Sequence, residues 1–148
     1  MKNDEYFMQQ ALLEAALAKE KGEVPVGAVL VADKKILTRG YNSAIEKNDP
    51  TSHAEIVAIR RACEMRSNYR IPDCELYVTL EPCAMCLGAA VQARIRRLVF
   101  GAYDPKAGAA KSIMHFPFDR TNHHIEIRGG LLAEECGQIL KDFFKDKR

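Results

Sequence analysis

Hydrophobic residues recur at intervals of three and four along residues 5–20, near the start of the chain. The pattern consists of Met8, Ala11, Leu12, Ala15 and Ala18. Side chains three and four positions apart share one face of a helix, so this spacing predicts an amphipathic helix that ends at Gly22. Acidic residues near its start and lysines near its end complement the helix dipole.

Two apolar runs rich in β-branched residues follow within residues 24–42, separated by Asp33, Lys34 and Lys35. Short runs of this kind around a polar turn predict a β-hairpin. The first run is almost continuously apolar, which indicates a strand that is buried on both faces.

The middle of the chain alternates between helical and strand patterns. A helix is predicted within residues 48–66, where Ile56, Ile59 and Cys63 share a stripe. A second helix is predicted within residues 82–95, with proline at its first position. Strands are predicted at residues 75–80 and 97–102.

The last third of the chain begins with an irregular stretch, residues 103–124, which is typical of functional loops. A short strand is predicted at residues 124–127. A closing helix is predicted from the apolar spacing of Leu132, Cys136, Ile139, Leu140 and Phe143. The order of all these elements predicts an α/β protein, built as a layered sheet with helices on both faces.

Length and composition agree with one globular unit. The 148 residues fit a single domain, residues 1–148, and 47% hydrophobic with 28% charged residues is typical of soluble proteins. A net charge of +2 neither indicates nor excludes a nucleic-acid partner.

Asp4, Glu5 and Glu14 interrupt the region where a secretion signal would be apolar, and no segment approaches the roughly 18 apolar residues that span a membrane. We therefore expect a cytoplasmic protein with no membrane partner. Five cysteines are an odd count, which favours metal binding or core packing over a disulfide framework.

Two short stretches carry the candidate chemistry: "HAE" at residues 53–55 and "PCAMC" at residues 82–86. Zn²⁺ prefers imidazole nitrogen and thiolate sulfur, and Cys83 and Cys86 have the spacing that brings two thiolates to one face of a helical turn. His53 supplies a third ligand and leaves a fourth position for water, as in catalytic zinc sites. A water bound there ionises near roughly pH 7, which provides a nucleophile.

Glu55 lies close enough to His53 to reach the same metal site. A carboxylate beside the zinc water accepts its proton and returns it to a leaving group, which is general acid–base catalysis. A passive zinc module that only binds RNA has no need of such an acid, so Glu55 argues against that alternative.

Each stretch also has an ordinary interpretation. A histidine at a helix start is often a solvated cap, and a lone Cys-x-x-Cys pair in a cytosolic protein can be a redox pair. A structural zinc would need a fourth ligand, for which Cys63, Cys74 and His123 are available, although their spacing recommends none of them. The two stretches together favour a hydrolytic zinc site.

His53-Ala54-Glu55 with Pro82-Cys83-x-x-Cys86 resembles the signature of the zinc-dependent nucleobase deaminases. Over nearly its whole length the chain is similar to the bacterial tRNA-specific adenosine deaminases, in the stretches "VPVGAVLV", "NDPTSHAE", "LYVTLEPCAMCLGA", "VFGAYDPKAGAAKS" and "GGLLAEEC". The resemblance implies a three-layer α/β/α cytidine-deaminase-like fold around a central, mixed, five-stranded sheet.

The resemblance also implies an activity. It is hydrolytic deamination of adenosine to inosine at the wobble position of a tRNA anticodon, with arginine tRNA as the expected substrate and the anticodon stem-loop as the bound partner. A homodimer with one Zn²⁺ per subunit is implied, in which His53, Cys83 and Cys86 bind zinc and Glu55 shuttles the proton. The implied substrate-binding residues are Asn42, Val26, Ala54, Leu80, Asp104, Lys106, His123 and Phe144.

The closing helix offers aromatic and basic side chains that suit RNA through stacking and phosphate contacts, namely Phe143, Phe144, Lys141, Lys145, Lys147 and Arg148. Its periodicity places at least one of the two phenylalanines in the core. The main alternative function is a small-molecule nucleobase deaminase similar to guanine deaminase, which shares both short motifs. The stretch "RIRRLVFGAYDPKAGAAKS" favours the tRNA branch.

Overall fold

The computed structural model describes residues 3–147, which are arranged around one sheet. Its strands are β1 (Gly27–Ala32), β2 (Lys35–Tyr41), β3 (Cys74–Leu80), β4 (Arg97–Ala102) and β5 (Glu126–Arg128). They lie side by side in the order β2-β1-β3-β4-β5. β1 pairs antiparallel with β2 and β3, whereas β3–β4 and β4–β5 are parallel. The mixed five-stranded sheet is thus confirmed.

The helices are α1 (Asp4–Glu20), α2 (Ala44–Lys47), α3 (Ala54–Arg66), α4 (Ala84–Gln92) and α5 (Ala133–Asp146). A single 3-10 turn, Phe118–Arg120, interrupts the irregular stretch that the sequence indicated. Within residues 3–147, no helix combines the length and the apolar character that crossing a membrane requires.

The sheet separates two apolar layers, because alternate residues of each central strand point to opposite faces. Val29 and Val31 of β1 pack in the cluster that contains Met8 of α1 and Cys136 of α5. Leu30, their neighbour in the chain, packs instead in the cluster formed with α3 and α4. Helices therefore cover both faces, and β1 is buried on both sides as predicted.

The hairpin turn consists of Asp33 and Lys34, both with positive φ (51° and 60°), while Lys35 already pairs with Ala32. Two successive residues of this conformation match the right-handed twist of the flanking strands. The polar run of the sequence indicated a turn of three residues, and the observed turn is one residue shorter.

α4 begins two residues later and ends earlier than predicted. Cys83 is its N-cap, so Pro82 lies before the helix and not at its first position. The Pro82 carbonyl accepts the Ala109 N–H at 2.9 Å, which holds the proline outside the helical turn. At the other end, Arg94 adopts a left-handed conformation with φ 64°, where a helix cannot continue.

α3 buries Ile59 of the predicted stripe in the core, but its most deeply buried side chains form a row of alanines. Ala54, Ala58 and Ala62 are fully buried, whereas Ile56 and Cys63 are only half-buried. Small residues are needed here because a Cβ on Gly40 of β2 would lie 2.6 Å from the Ala54 carbonyl oxygen. This close approach of α3 to the sheet fixes where its first turn lies.

The short helix α2 was not predicted. The buried Glu23 carboxylate, which comes from the segment between α1 and β1, accepts the N–H groups of Ile45 (3.1 Å) and Glu46 (2.8 Å). A distant side chain thus satisfies the free donors at the start of a helix too short to show a periodic pattern.

Candidate active site

Two helix N-termini meet at one end of the sheet and supply the side chains of the candidate site. His53 is the N-cap of α3 and Cys83 is the N-cap of α4, and both have extended backbone conformations. Neither side chain bonds to its own helix as a cap. Both are therefore free to point toward Cys86, one turn into α4.

The ligand atoms of His53, Cys83 and Cys86 lie within 4.8 Å of one another. His53 Nδ1 is 3.6 Å from Cys83 Sγ and 3.5 Å from Cys86 Sγ. A tetrahedral zinc with bonds of about 2.3 Å to sulfur and about 2.0 Å to nitrogen separates an N and an S ligand by about 3.5 Å. The three residues therefore fit Zn²⁺.

Cys63, Cys74 and His123, the possible fourth ligands, lie outside this group. Among the described residues, the group is composed of three protein ligands. That number matches a catalytic zinc site, which keeps one position for water, better than it matches a closed structural site.

The thiol groups of Cys83 and Cys86 have pKa values that are shifted in opposite directions. Hydrogen bonds from Cys86 and His53 lower the pKa of Cys83 to about 3, although burial opposes the shift. The hydrogen bond to Cys83, together with burial, raises the pKa of Cys86. The hydrogen bond with Cys83 also raises the pKa of His53. The Cys83 thiolate is thus stabilised by hydrogen bonds from the other two residues of the group.

Glu55, in the first turn of α3, is 3% exposed and lies within hydrogen-bonding reach of Cys86. Burial raises the pKa of its carboxyl group, and the nearby charge of His53 opposes the shift. A carboxylate in this position can hold a proton at neutral pH more readily than a solvated glutamate.

Three of the expected substrate-binding residues are linked to one another beside the His53-Cys83-Cys86 group. Asn42 Oδ1 accepts the N–H of Ala54 at 2.8 Å, and the Asn42 N–H donates to the Val26 carbonyl at 3.1 Å. Val26 and Ala54 are both buried. Asn42 thus connects the strand ends to the first residue of α3.

A groove of about 1020 Å³ lies between α5 and the chain that follows β4. Leu80, Asp104, Lys106 and Phe144 all line it, so the structure brings these four expected substrate-binding residues together. Lys141, Lys145 and Lys147 line the same groove. Arg148 lies outside the described residues.

The two adjacent phenylalanines of α5 have different environments. Phe143 is 7% exposed and belongs to the core, whereas Phe144 is 48% exposed and lines the groove. The expectation that one of them is a core residue is confirmed.

His123 is separate from the groove. Its Nε2 lies 2.7 Å from the Ile95 carbonyl oxygen, between α4 and β4. This contact ties the irregular stretch to the protein body, and the structure does not bring His123 together with Asp104, Lys106 or Phe144.

Glu81 was given no role from the sequence, although it lies within the quoted motif between Leu80 and Pro82. Burial favours a raised pKa, but hydrogen bonds from Ser112 and from the N–H groups of Lys111, Ser112 and Asp104 outweigh it and lower the pKa. The sequence feature that could have drawn attention to Glu81 is its place as an ionisable residue directly after the buried strand β3.

The fold and the His-Cys-Cys group are those of the cytidine-deaminase-like class. A family model for MafB19-like deaminases matches residues 2–148. A tRNA-specific adenosine deaminase of Haemophilus influenzae is 51% identical over 98% of this chain and 85% of its own length. This chain belongs to the family of tRNA-specific adenosine deaminases.

Solved structures with different named activities are similar to this chain. A structure from a study of A-to-I editing by tRNA:A34 deaminases has a TM-score of 0.88 and 49% identity, and the match covers 91% of this chain and 99% of that one. A guanine deaminase from Bacillus subtilis has a TM-score of 0.66 and 34% identity over 78% of this chain and 84% of its own.

Proposed function

We propose that this protein deaminates adenosine to inosine at the wobble position of a tRNA anticodon, with arginine tRNA as the first candidate substrate. The observation that carries the proposal is the convergence of His53, Cys83 and Cys86 beside the buried Glu55 in a member of the tRNA-specific adenosine deaminase family. It acts in the cytoplasm.

His53, Cys83 and Cys86 would hold one zinc ion. When bound, zinc lowers the pKa of a coordinated water and thereby supplies a nucleophile for C6 of adenine. Glu55 would move two protons in turn, the first from the attacking water to N1 of adenine and the second from the hydroxyl formed at C6 to the exocyclic amine, which leaves as ammonia when the C6–N bond breaks. Water and adenosine are consumed, and inosine and ammonia are released.

The residues around Asn42 hold the target nucleotide. The side-chain oxygen of Asn42 already accepts a hydrogen bond from the Ala54 N–H. The NH₂ group of Asn42 is therefore the part of the side chain that donates to the substrate. Val26, Leu80 and Ala54 form the walls around the base. An anticodon loop is single-stranded, so turning one base into the site costs less than opening a duplex.

The groove beside α5 supports a polymeric substrate over a free base. Lys106, Lys141 and Lys145 offer phosphate contacts, and Phe144 offers a face for stacking. A free nucleobase would occupy only the metal site and would not need this groove. His123 is proposed as a more distant RNA contact.

The proposal is tested by measuring inosine and ammonia from zinc-loaded protein with an arginine tRNA whose anticodon begins with adenosine. Free adenosine, guanine and cytidine are the comparison substrates. We expect inosine at the wobble position alone. Turnover of guanine with inert tRNA would instead support the alternative, a guanine-deaminase-like enzyme, which the 34% identity to that branch brings into consideration.

We propose a homodimer. The outer side of α4 carries the exposed Met85 and the small residues Gly88 and Ala89, and a Cβ on Gly88 would meet no atom within 4 Å. The next residue, Ala90, faces the core. Such a surface permits close helix contact across a two-fold axis. We expect a dimer in sedimentation at micromolar concentration; a monomer there would contradict the proposal.

Replacing Phe144 with alanine is expected to weaken binding of an anticodon stem-loop by roughly tenfold, because base stacking on an aromatic side chain contributes about 1–3 kcal/mol. Binding is measured by fluorescence anisotropy at fixed salt. Leu13→Ala on α1, which removes another exposed apolar side chain, is the control and should bind as the wild type does. Equal affinities for all three proteins would exclude Phe144 from the RNA surface.

A further inference from the structure

Glu81 occupies the junction between the end of β3 and the metal ligand Cys83. Its side chain is 2% exposed. Its own N–H donates to the Ala102 carbonyl at 2.8 Å, which fixes this junction against the end of β4. The carboxylate reaches into residues 103–112, which we call the groove loop.

The carboxylate accepts five hydrogen bonds from the groove loop. Oε1 accepts the N–H of Asp104 at 3.0 Å and the hydroxyl of Ser112. Oε2 accepts the N–H groups of Ala110 (3.1 Å), Lys111 (2.7 Å) and Ser112 (2.9 Å). A buried carboxylate with several N–H donors is fully satisfied and holds them strongly.

The groove loop wraps closely around this carboxylate. A Cβ on Gly108 would lie 2.4 Å from the Glu81 carboxyl carbon and 2.6 Å from the Asp104 carbonyl oxygen. A loop outside helices and strands lacks the regular backbone partners that those elements provide, so its shape depends on side-chain acceptors. Here one side chain receives donors from both ends of the loop.

The hydrogen bond from the Asp104 N–H to Glu81 also affects the lining of the groove. Asp104 Oδ1 accepts the N–H groups of Lys106 (3.0 Å) and Ala107 (3.3 Å), which sets the turn that carries Lys106. Asp104 and Lys106 both line the groove. Glu81 thus connects the groove lining with the chain segment that supplies Cys83.

We propose that Glu81 is a positioning residue for RNA binding, which holds the groove loop in its binding shape beside the metal site. This inference rests on the proposed function. Both Glu81 oxygens are buried and occupied by the loop, so the residue acts on the substrate through Asp104 and Lys106 and not on the reacting atoms. Its loss therefore raises KM for RNA and changes kcat little.

The test uses Glu81→Gln in the full-length, zinc-loaded protein, with an adenosine-containing anticodon stem-loop as substrate. The amide places an NH₂ group where the loop presents donors. We expect KM to rise by roughly tenfold or more, because a loosened loop must be reordered each time RNA binds. We expect kcat within about threefold of the wild-type value and an unchanged zinc content.

Hydrogen exchange gives a readout that does not depend on activity. The N–H groups of residues 104 and 110–112 should exchange faster in Glu81→Gln than in the wild type. Glu5→Gln, the same change at an exposed position of α1, is the matched control and should alter none of these quantities. If the wild type deaminated none of the RNAs, the proposed function would be contradicted. If the wild type were active and Glu81→Gln had the same KM, only this inference would be overturned.

Gly108→Ala provides an independent variant in case Glu81→Gln does not fold. Its added methyl group displaces the loop from the carboxylate and leaves Glu81 intact. It should likewise raise KM with little change in kcat. A fall in kcat or in zinc content at constant KM, in either variant, would show that this junction serves the metal site and would refute a role in RNA positioning.

Discussion

Glu55→Gln is expected to reduce the rate of deamination by about 10²–10⁴-fold, which is the usual contribution of general acid–base catalysis. Glutamine keeps the size and shape of the side chain but cannot accept the proton of the water or return it to the adenine. The burial of Glu55 makes this loss difficult to compensate, because solvent has little access to take over the transfer.

The same variant should retain zinc and bind the anticodon stem-loop with unchanged affinity. Zinc is measured by metal analysis, turnover by inosine formation under single-turnover conditions, and affinity by anisotropy. Glu64→Gln, an exposed residue of the same helix, is the matched control and should be fully active. An active Glu55→Gln protein would require another group to carry the proton and would overturn the assigned mechanism.

The grouping of His53, Cys83 and Cys86 was predictable because its information is local. His53 and Glu55 are two residues apart, Cys83 and Cys86 are three apart, and each pair opens a helix whose start is visible in the sequence. Zinc chemistry then restricts which residue types can combine. The nearly continuous apolar run of β1 likewise predicted a strand with two buried faces.

The supporting contacts were not predictable, because they join residues far apart in the chain. Glu81 meets Ser112 31 positions later, and Glu23 meets Glu46 23 positions later. The hydrogen bond between Asn42 and Ala54 depends on the close approach of α3 to β2 at Gly40. Which polar residues become buried acceptors is decided by packing, so residue type and local pattern do not disclose it.

Cys83→Ala is expected to release zinc and to reduce deamination by about a thousandfold or more, because the remaining two ligands hold the ion weakly and the activated water is lost. The thermal midpoint should also fall, since an ion that binds only the folded protein stabilises it. Zinc content, turnover and the midpoint are compared before and after treatment with a chelator and after zinc is returned.

Cys63→Ser is the matched control, because Cys63 is a half-buried thiol outside the ligand group. It should keep zinc and activity, whereas the wild type should lose both with chelator and regain both with zinc. The pKa values of His53 and Cys86 are raised, and both groups must lose protons to bind the metal. Zinc affinity should therefore fall as the pH is lowered. Full turnover by metal-free protein would instead separate the chemistry from this group and leave Glu55 to act without a metal.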